Sequence, residues 1–375
     1  MNERNLDPAR RTLLQGAAWT APILASAVAV PYAAASTCAT TTRTFDTPGL
    51  ATTFTVPAGA KYVDFEVRGA GGGAGQNVRL GEGAKSTGRI ALPANASAAQ
   101  RTFGIVVGQG GEVKRDGTTA FGGAGYGKGG ASTPGRRDYI DDIPTGGGGG
   151  GSALLVGGAP LIVSGGGGGS AVRHTVGGST KQVTVYTAPD QLTGFSFGTA
   201  SGGGGNPNGR VGAIGGANSD GTGLAVNPAL AGNGQDGGRR GGVNHYVVDN
   251  GNWGPVTRVE GSDGQSFGYG SNGGGNGGDG ARRLSNGRQF AACAGGGGGG
   301  YAGGGGGGMA GAVFGRDNLL SISTGSGAAG STFRASDSEA ASLGYPISDY
   351  NRTASGLGPN YDRGHEGLIS LSWCA

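Results

Sequence analysis

Apolar positions along this chain come in short bursts with a period of two, and most bursts abut a run of glycine. The clearest is residues 62–68. Val63, Phe65 and Val67 alternate there with Tyr62, Asp64, Glu66 and Arg68, which predicts a strand with one buried face and one wet face. Phe54 and Val56 lead into it through a Pro57-Ala58-Gly59 turn, and it runs directly into Gly69-Ala70-Gly71-Gly72-Gly73. Further strands are predicted at "KSTGRIALP" and at "RTFGIVVGQGG", where Phe103, Ile105 and Val107 alternate. Two short apolar runs, Leu154–Val156 and Leu161–Val163, are separated by Gly157–Pro160, and each touches a glycine run on its outer side. "KQVTVYTA" is another strand, and "GLISLSWC" is the last, with Ile369, Leu371 and Trp373 on one face. Ser336–Leu343 has room for about two helical turns, and no longer amphipathic helix follows the N-terminal segment. The order strand, glycine run, strand recurs without a fixed period of 20–50 residues, so the chain is not a counted solenoid.

Composition sharpens the question these runs pose. Ninety-one of the 375 residues are glycine and 15 are proline, a share at which disorder is the default expectation. Ordering a residue costs roughly 1–2 kcal/mol, and glycine loses the most freedom. A lone glycine run therefore has no reason to fold. A packed run does. Polyglycine shares with polyproline an extended left-handed helix of three residues per turn, in which six residues span roughly 19 Å. Its N–H and C=O groups point outward, so helices packed side by side can bond to one another, and the missing Cβ lets their axes approach. Gly146–Gly151, Gly165–Gly169, Gly295–Gly300 and Gly303–Gly308 suit such a bundle. The alternative is a set of flexible linkers. Against it, the runs have little serine, similar lengths and no spacer before the strands, and they are too many to serve as hinges.

A formal charge of +4, from 28 basic and 24 acidic residues without a basic block, does not point to a nucleic-acid partner. The first 35 residues are a different segment. "ARRTLLQGAAWTAPILASAVAVPYAAAS" pairs Arg10 with Arg11, continues as a weakly apolar stretch and ends at Ala33-Ala34-Ala35. It resembles a bacterial twin-arginine export signal cleaved after Ala35, departing from that motif at Ala9, Leu13 and Gln15; an ordinary secretory signal is the alternative. Residues 36–375 would then form one exported glycine-rich domain. Three cysteines remain. Cys38 and Cys374 stand at the two ends of the mature chain and can pair if the first and last strands are neighbours, closing a loop worth roughly 5 kcal/mol in the chain-entropy model. The alternatives are that Cys293 takes one of them, or that all three stay reduced.

Candidate catalytic groups are sparse. His174, His245 and His365 are far apart, without metal-type spacing. "GEGAKST" lacks the Gly-Lys pair of a phosphate loop. "GGNGGDGAR" at Gly274–Arg282 fits a calcium-binding nonapeptide, but such sites need tandem copies. No cofactor, metal site or catalytic residue is assigned. The long loops that are poor in glycine are more informative: Val243–Gly270 carries Tyr246, Trp253 and Tyr269, Gly344–Gly367 carries Tyr345, Tyr350, Arg352 and Tyr361, and Gly135–Pro144 is a third. Tyr, Trp and Arg among Ser, Asn and Gly compose adaptable recognition surfaces; the same aromatics can equally cover the sandwich or the bundle ends.

"FTVPAGAKYVDFEVRGAGGGAG", "GGGGGGSALLVGGAPLIVSGGGGGS", "CAGGGGGGYAGGGGGG" and "GHEGLISLSW" resemble the bacterial glycine-rich domain family and the extracellular glycine-rich domain of the anaplastic lymphoma kinase and leukocyte tyrosine kinase receptors. The resemblance spans residues 45–374. It implies an all-β fold: a jelly-roll-like β-sandwich with an inserted bundle of polyglycine II helices. It also implies recognition of a ligand, although the receptors' disulfide pattern, kinase and membrane span have no counterpart here. The expectation is an exported, non-enzymatic protein for adhesion or ligand recognition at a cell surface. An unidentified protein or glycan would be its partner, with the export machinery met through the signal. A self-associating coat, matrix or filament subunit is the second reading.

Overall fold

A computed structural model of the chain describes residues 39–49, 51–74, 81–114, 118–133, 145–176, 182–187, 224–226, 229–241, 243–245, 257–281, 284–286, 290–314, 319–354 and 363–374. Ten strands, numbered in chain order, make two sheets: β1 (Thr40–Phe45), β2 (Ala51–Thr55), β3 (Tyr62–Arg68), β4 (Ala84–Ala91), β5 (Thr102–Val106), β6 (Ser152–Val156), β7 (Ala159–Ser164), β8 (Phe333–Arg334), β9 (Ile347–Ala354) and β10 (Leu368–Cys374). The first sheet runs β1-β10-β3-β4-β9 and the second β8-β7-β6-β5-β2, all antiparallel. The chain crosses between them at β1–β2, β2–β3, β4–β5 and β8–β9, a jelly-roll-like habit. Further strands pair elsewhere, among them Met309–Phe314 with Leu319–Thr324 and Ala171–Val176 with Gln182–Thr187. A single α-helix among the described residues, α1 (Asp337–Ser342), follows β8.

The alternation read from the sequence is the alternation of burial. In β3, Val63, Phe65 and Val67 are buried while Tyr62, Asp64, Glu66 and Arg68 are half-exposed, and in β10 Ile369, Leu371 and Trp373 are buried in the same way. These six pack with Phe103, Ile105, Leu154, Leu161 and Ile162 of the second sheet, each contributing roughly 1.5–3 kcal/mol. The central strands of that second sheet are covered on both sides. Ile105, Leu154 and Ile162 face the sandwich core, while Val106, Ala153 and Val163 join a second cluster with Tyr126 and Tyr301. Strands buried on both faces have no polar side to alternate with, which is why β6 and β7 read as plain apolar runs. Gly157 and Gly158 join them with φ of 57° and 84°, the two positive values that a two-residue type I′ hairpin turn requires. The first and last strands are neighbours, Thr40 standing opposite Cys374. Cys38, Arg10, Arg11 and Ala35 lie outside the described residues.

The glycine runs are inserted between these strands and are buried throughout Gly146–Gly151, Gly165–Gly169, Gly295–Gly300 and Gly303–Gly308. They lie in neither strand nor α-helix for most of their length, and their amides are bonded sideways. Successive N–H groups of Gly146 to Gly151 donate to the carbonyls of Ser170, Glu112, Gly130, Gly167, Gln109 and Gly127, at 2.8–3.4 Å. Donors three apart therefore address the same neighbouring segment. Gly295 to Gly300 repeat the pattern, donating in turn to Gly325, Gly146, Gly278, Ala328, Gly149 and Gly275. A period of three is neither the two of a strand nor the 3.6 of an α-helix. The second long run folds back on the first, since Gly304 donates to Gly298 and Gly307 to Gly295.

Side chains extend the pattern at the exposed margin of these segments. Gln109 Oε1 accepts the Ala124 amide and Glu112 Oε2 that of Phe121, both at 3.2 Å. Asn276 Oδ1 accepts from Lys128 and Asp279 Oδ1 from Ala131, both at 2.8 Å. Each pair of acceptors, and each pair of donors, is spaced by three residues. The oxygens of the supposed calcium nonapeptide thus serve the backbone of a neighbouring segment.

Candidate functional site

A cleft of about 820 Å³ opens where β8 and β9, edge strands of the two sheets, approach each other beside the start of α1. Its floor explains the Tyr301-Ala302 break between the two long glycine runs. Tyr301 sits at the turn between them and is only 5% exposed. Its ring is stacked between Phe267, with centroids 4.2 Å apart, and Phe333 of β8, 4.1 Å apart. Burial pushes its phenol pKa above the ordinary tyrosine value, against an opposing effect of the nearby Gln235 side chain. The pairing of a glycine turn with a sheet-facing aromatic stack fixes the cleft floor to both parts of the fold.

The walls come from β8, α1 and β9. Arg334 lies over the Tyr350 ring, 5.2 Å from its centroid, and its Nη2 donates to Asp337 Oδ1 at 2.9 Å. Asp337 is 80% exposed at its side chain, so this pair adds little stability but holds the guanidinium in place. Ser336 caps α1: its Oγ accepts the Glu339 amide at 3.2 Å, while Glu339 Oε2 accepts the Ser336 amide at 2.8 Å. The bond from the Ser336 amide, and secondarily the Ser336 hydroxyl, hold the Glu339 carboxyl below its ordinary pKa. On β9 the register breaks between Ser348 and Asn351, and Asp349 takes a left-handed φ of 53°. A bulge of this kind bends an edge strand and re-aims its side chains. Here it sets Tyr350 and Arg352 into the cleft lining. Arg352 is exposed, and neither it nor Asp349 enters an ion pair with another described residue.

Of the expected recognition residues, Tyr350 and Arg352 are brought together at this cleft. Tyr350 is half-buried, and its hydroxyl lies 3.3 Å from Ser86 Oγ. Tyr345 belongs to the core instead: it is 3% exposed, its ring meets Phe103 edge-on and its hydroxyl donates to the Gln100 carbonyl at 2.9 Å, so it has no face for a ligand. Tyr269 is 80% exposed on a turn and is not part of the cleft wall. Tyr246, Trp253 and Tyr361 lie outside the described residues. Tyr301, Phe333, Arg334, Asp337 and Asp349 line the cleft and lie outside the recognition set that residue type alone picks out. For Tyr301 a signal existed, the lone aromatic between two pure glycine runs.

Among the described residues no group of three or more His, Cys, Asp or Glu is placed to hold a metal ion, and no helix is long and apolar enough to cross a membrane. No protein-family model matches the chain and no curated protein matches it.

Proposed function

We propose that this chain is an exported, non-enzymatic recognition or adhesion protein that captures a cell-surface or extracellular partner in the cleft between β8 and β9. The Arg10-Arg11 segment would direct export, with cleavage after Ala35. The observation that carries the reading is the cleft itself. Aromatic rings, two guanidinium groups and three carboxylates line one opening, held by a capped helix, a bulged edge strand and a tyrosine wedged between two glycine runs. Recognition sites are commonly side chains of this kind on a rigid mount. The mount would be a bundle of polyglycine II helices. The three-residue period of the amide bonds supports that geometry, because three residues make one turn of such a helix. A Cys38–Cys374 disulfide would close the sandwich where Thr40 faces Cys374, and peptide mapping without reductant tests it. Self-association through glycine helices is the weaker reading, since the long glycine runs are buried rather than offered at the surface.

The test is adhesion of beads coated with residues 36–375 to a panel of bacterial cells, animal cells and extracellular matrix. Retention on at least one surface, reduced about tenfold by Arg352→Glu, is the expected result. Retention nowhere, or retention indifferent to Arg352→Glu, overturns the reading.

A further inference from the structure

We infer that the cleft between β8 and β9 takes a neutral, polyhydroxylated ligand, a segment of uncharged oligosaccharide; this inference rests on the cleft being the recognition site. Its charges nearly cancel. Arg334 and Arg352 stand against Asp337, Glu339 and Asp349, two cations and three anions, and Arg334 is already paired with Asp337 at 2.9 Å. An anionic ligand would meet three carboxylates and a cationic peptide two guanidinium groups. An apolar ligand would have to strip water from all five, which is costly without replacement partners. A hydroxyl is the one common ligand group that both donates and accepts. Each sugar hydroxyl can donate to a carboxylate while accepting from a guanidinium, and such charge-assisted bonds are the stronger kind.

The geometry supplies the rest of what a sugar needs. Tyr350, Ile347 and Phe333 give apolar surface within the same lining against which the C–H face of a pyranose can lie. Arg334 is oriented on both sides, by the Tyr350 ring and by Asp337, and Glu339 is oriented by its capping bonds. These two therefore lose little freedom on binding. Asp349, whose Oδ2 accepts the Ser348 hydroxyl at 3.1 Å, and Arg352 carry the charges that no ion pair with another described residue takes up. A volume of about 820 Å³ falls within the range of small-ligand sites and admits several sugar units.

The experiment is a titration of residues 36–375, with Thr332 and Ile347 methyl signals observed by NMR. The probes are neutral maltotetraose, cellotetraose, mannotetraose and tetra-N-acetylchitotetraose, and the charged tetragalacturonate and tetralysine. At least one neutral tetrasaccharide is expected to shift both methyl signals. Arg352→Gln and Asp349→Asn should each weaken that binding about tenfold; asparagine retains the tolerance for a left-handed φ, and thermal denaturation checks that both variants are folded. Tighter binding of a charged probe, no methyl shift with any neutral sugar, or indifference to both substitutions overturns the inference. Beads that adhere through Arg352 while no sugar titrates would overturn the sugar class and keep the recognition reading. A sugar that titrates into the cleft while beads adhere nowhere would support the class and sink the adhesive role.

Discussion

Gly148 shows what the interior of this protein demands of a single residue. A Cβ built there would lie 2.0 Å from the Gly297 carbonyl oxygen and 2.5 Å from its carbon. Both are backbone atoms of a segment bonded to three neighbours, so neither can rotate aside. Gly148→Ala is expected to cost about 3 kcal/mol or more, read as a lower midpoint of urea denaturation. Gly157→Asn is the contrast, because φ is +57° there and nothing lies within 4 Å of the added Cβ. Asparagine tolerates that conformation, and the cost should stay within about 0.5 kcal/mol. Equal midpoints for the two variants would contradict close packing of the runs. Asp279 tests the polar, exposed margin of the same bundle. Asp279→Leu removes the acceptor of the Ala131 amide, a net loss of about 0.5–1.5 kcal/mol, and that amide should exchange faster with solvent. Asp279→Asn keeps an oxygen in place and should cost less. This role was legible only in part. The three-residue spacing of Asn276 and Asp279 is plain in the chain, but the same letters fit a calcium motif. What decides between them is the partner segment around Lys128 and Ala131, about 148 residues away, and no local pattern names it.

Among the elements, those that answer to local chemistry were readable and those that answer to a neighbour were not. The α1 cap lies in four consecutive residues, Ser336 to Glu339, a capping box. Ser336→Ala should lower stability by about 1 kcal/mol. The Glu339 carboxyl has its pKa lowered by its bonds to Ser336, so its stabilisation is present above the ordinary carboxylate pKa of about 4.3 and is lost as the pH falls through the lowered folded value. Exchange at α1 amides should accelerate in that acid window, and Glu339→Gln should remove the acid dependence. Strands β3 and β10 were readable because water covers one face and core the other. β9 was not. Ile347–Ala354 reads as part of a polar loop because it is a bulged edge strand, paired with β4 alone and exposed over much of its length. β8 has only two residues, too few for any period, and its existence depends on β7. The cleft lies between these two strands, so its position was hidden even though Tyr350 and Arg352 were singled out by residue type.

At the scale of the whole molecule, two interiors of different chemistry share one sheet. The sandwich core is apolar and held by burial, while the glycine interior is held by lateral amide bonds, and the middle strands of the second sheet carry Ile105, Leu154 and Ile162 toward the first and Val106, Ala153 and Val163 away from it. Tyr301 is where the glycine turn meets that sheet. The all-β sandwich follows from the strands, but the claim on which the rest depends is that the glycine runs form a fixed interior. Amide hydrogen exchange of residues 36–375, resolved at Gly146–Gly151 and Gly295–Gly300, tests it most directly. Protection comparable to that of the β3 and β10 amides is expected throughout both runs and at all three donor directions. Exchange at the rate of an unstructured peptide in those runs, with β3 and β10 still protected, would contradict it.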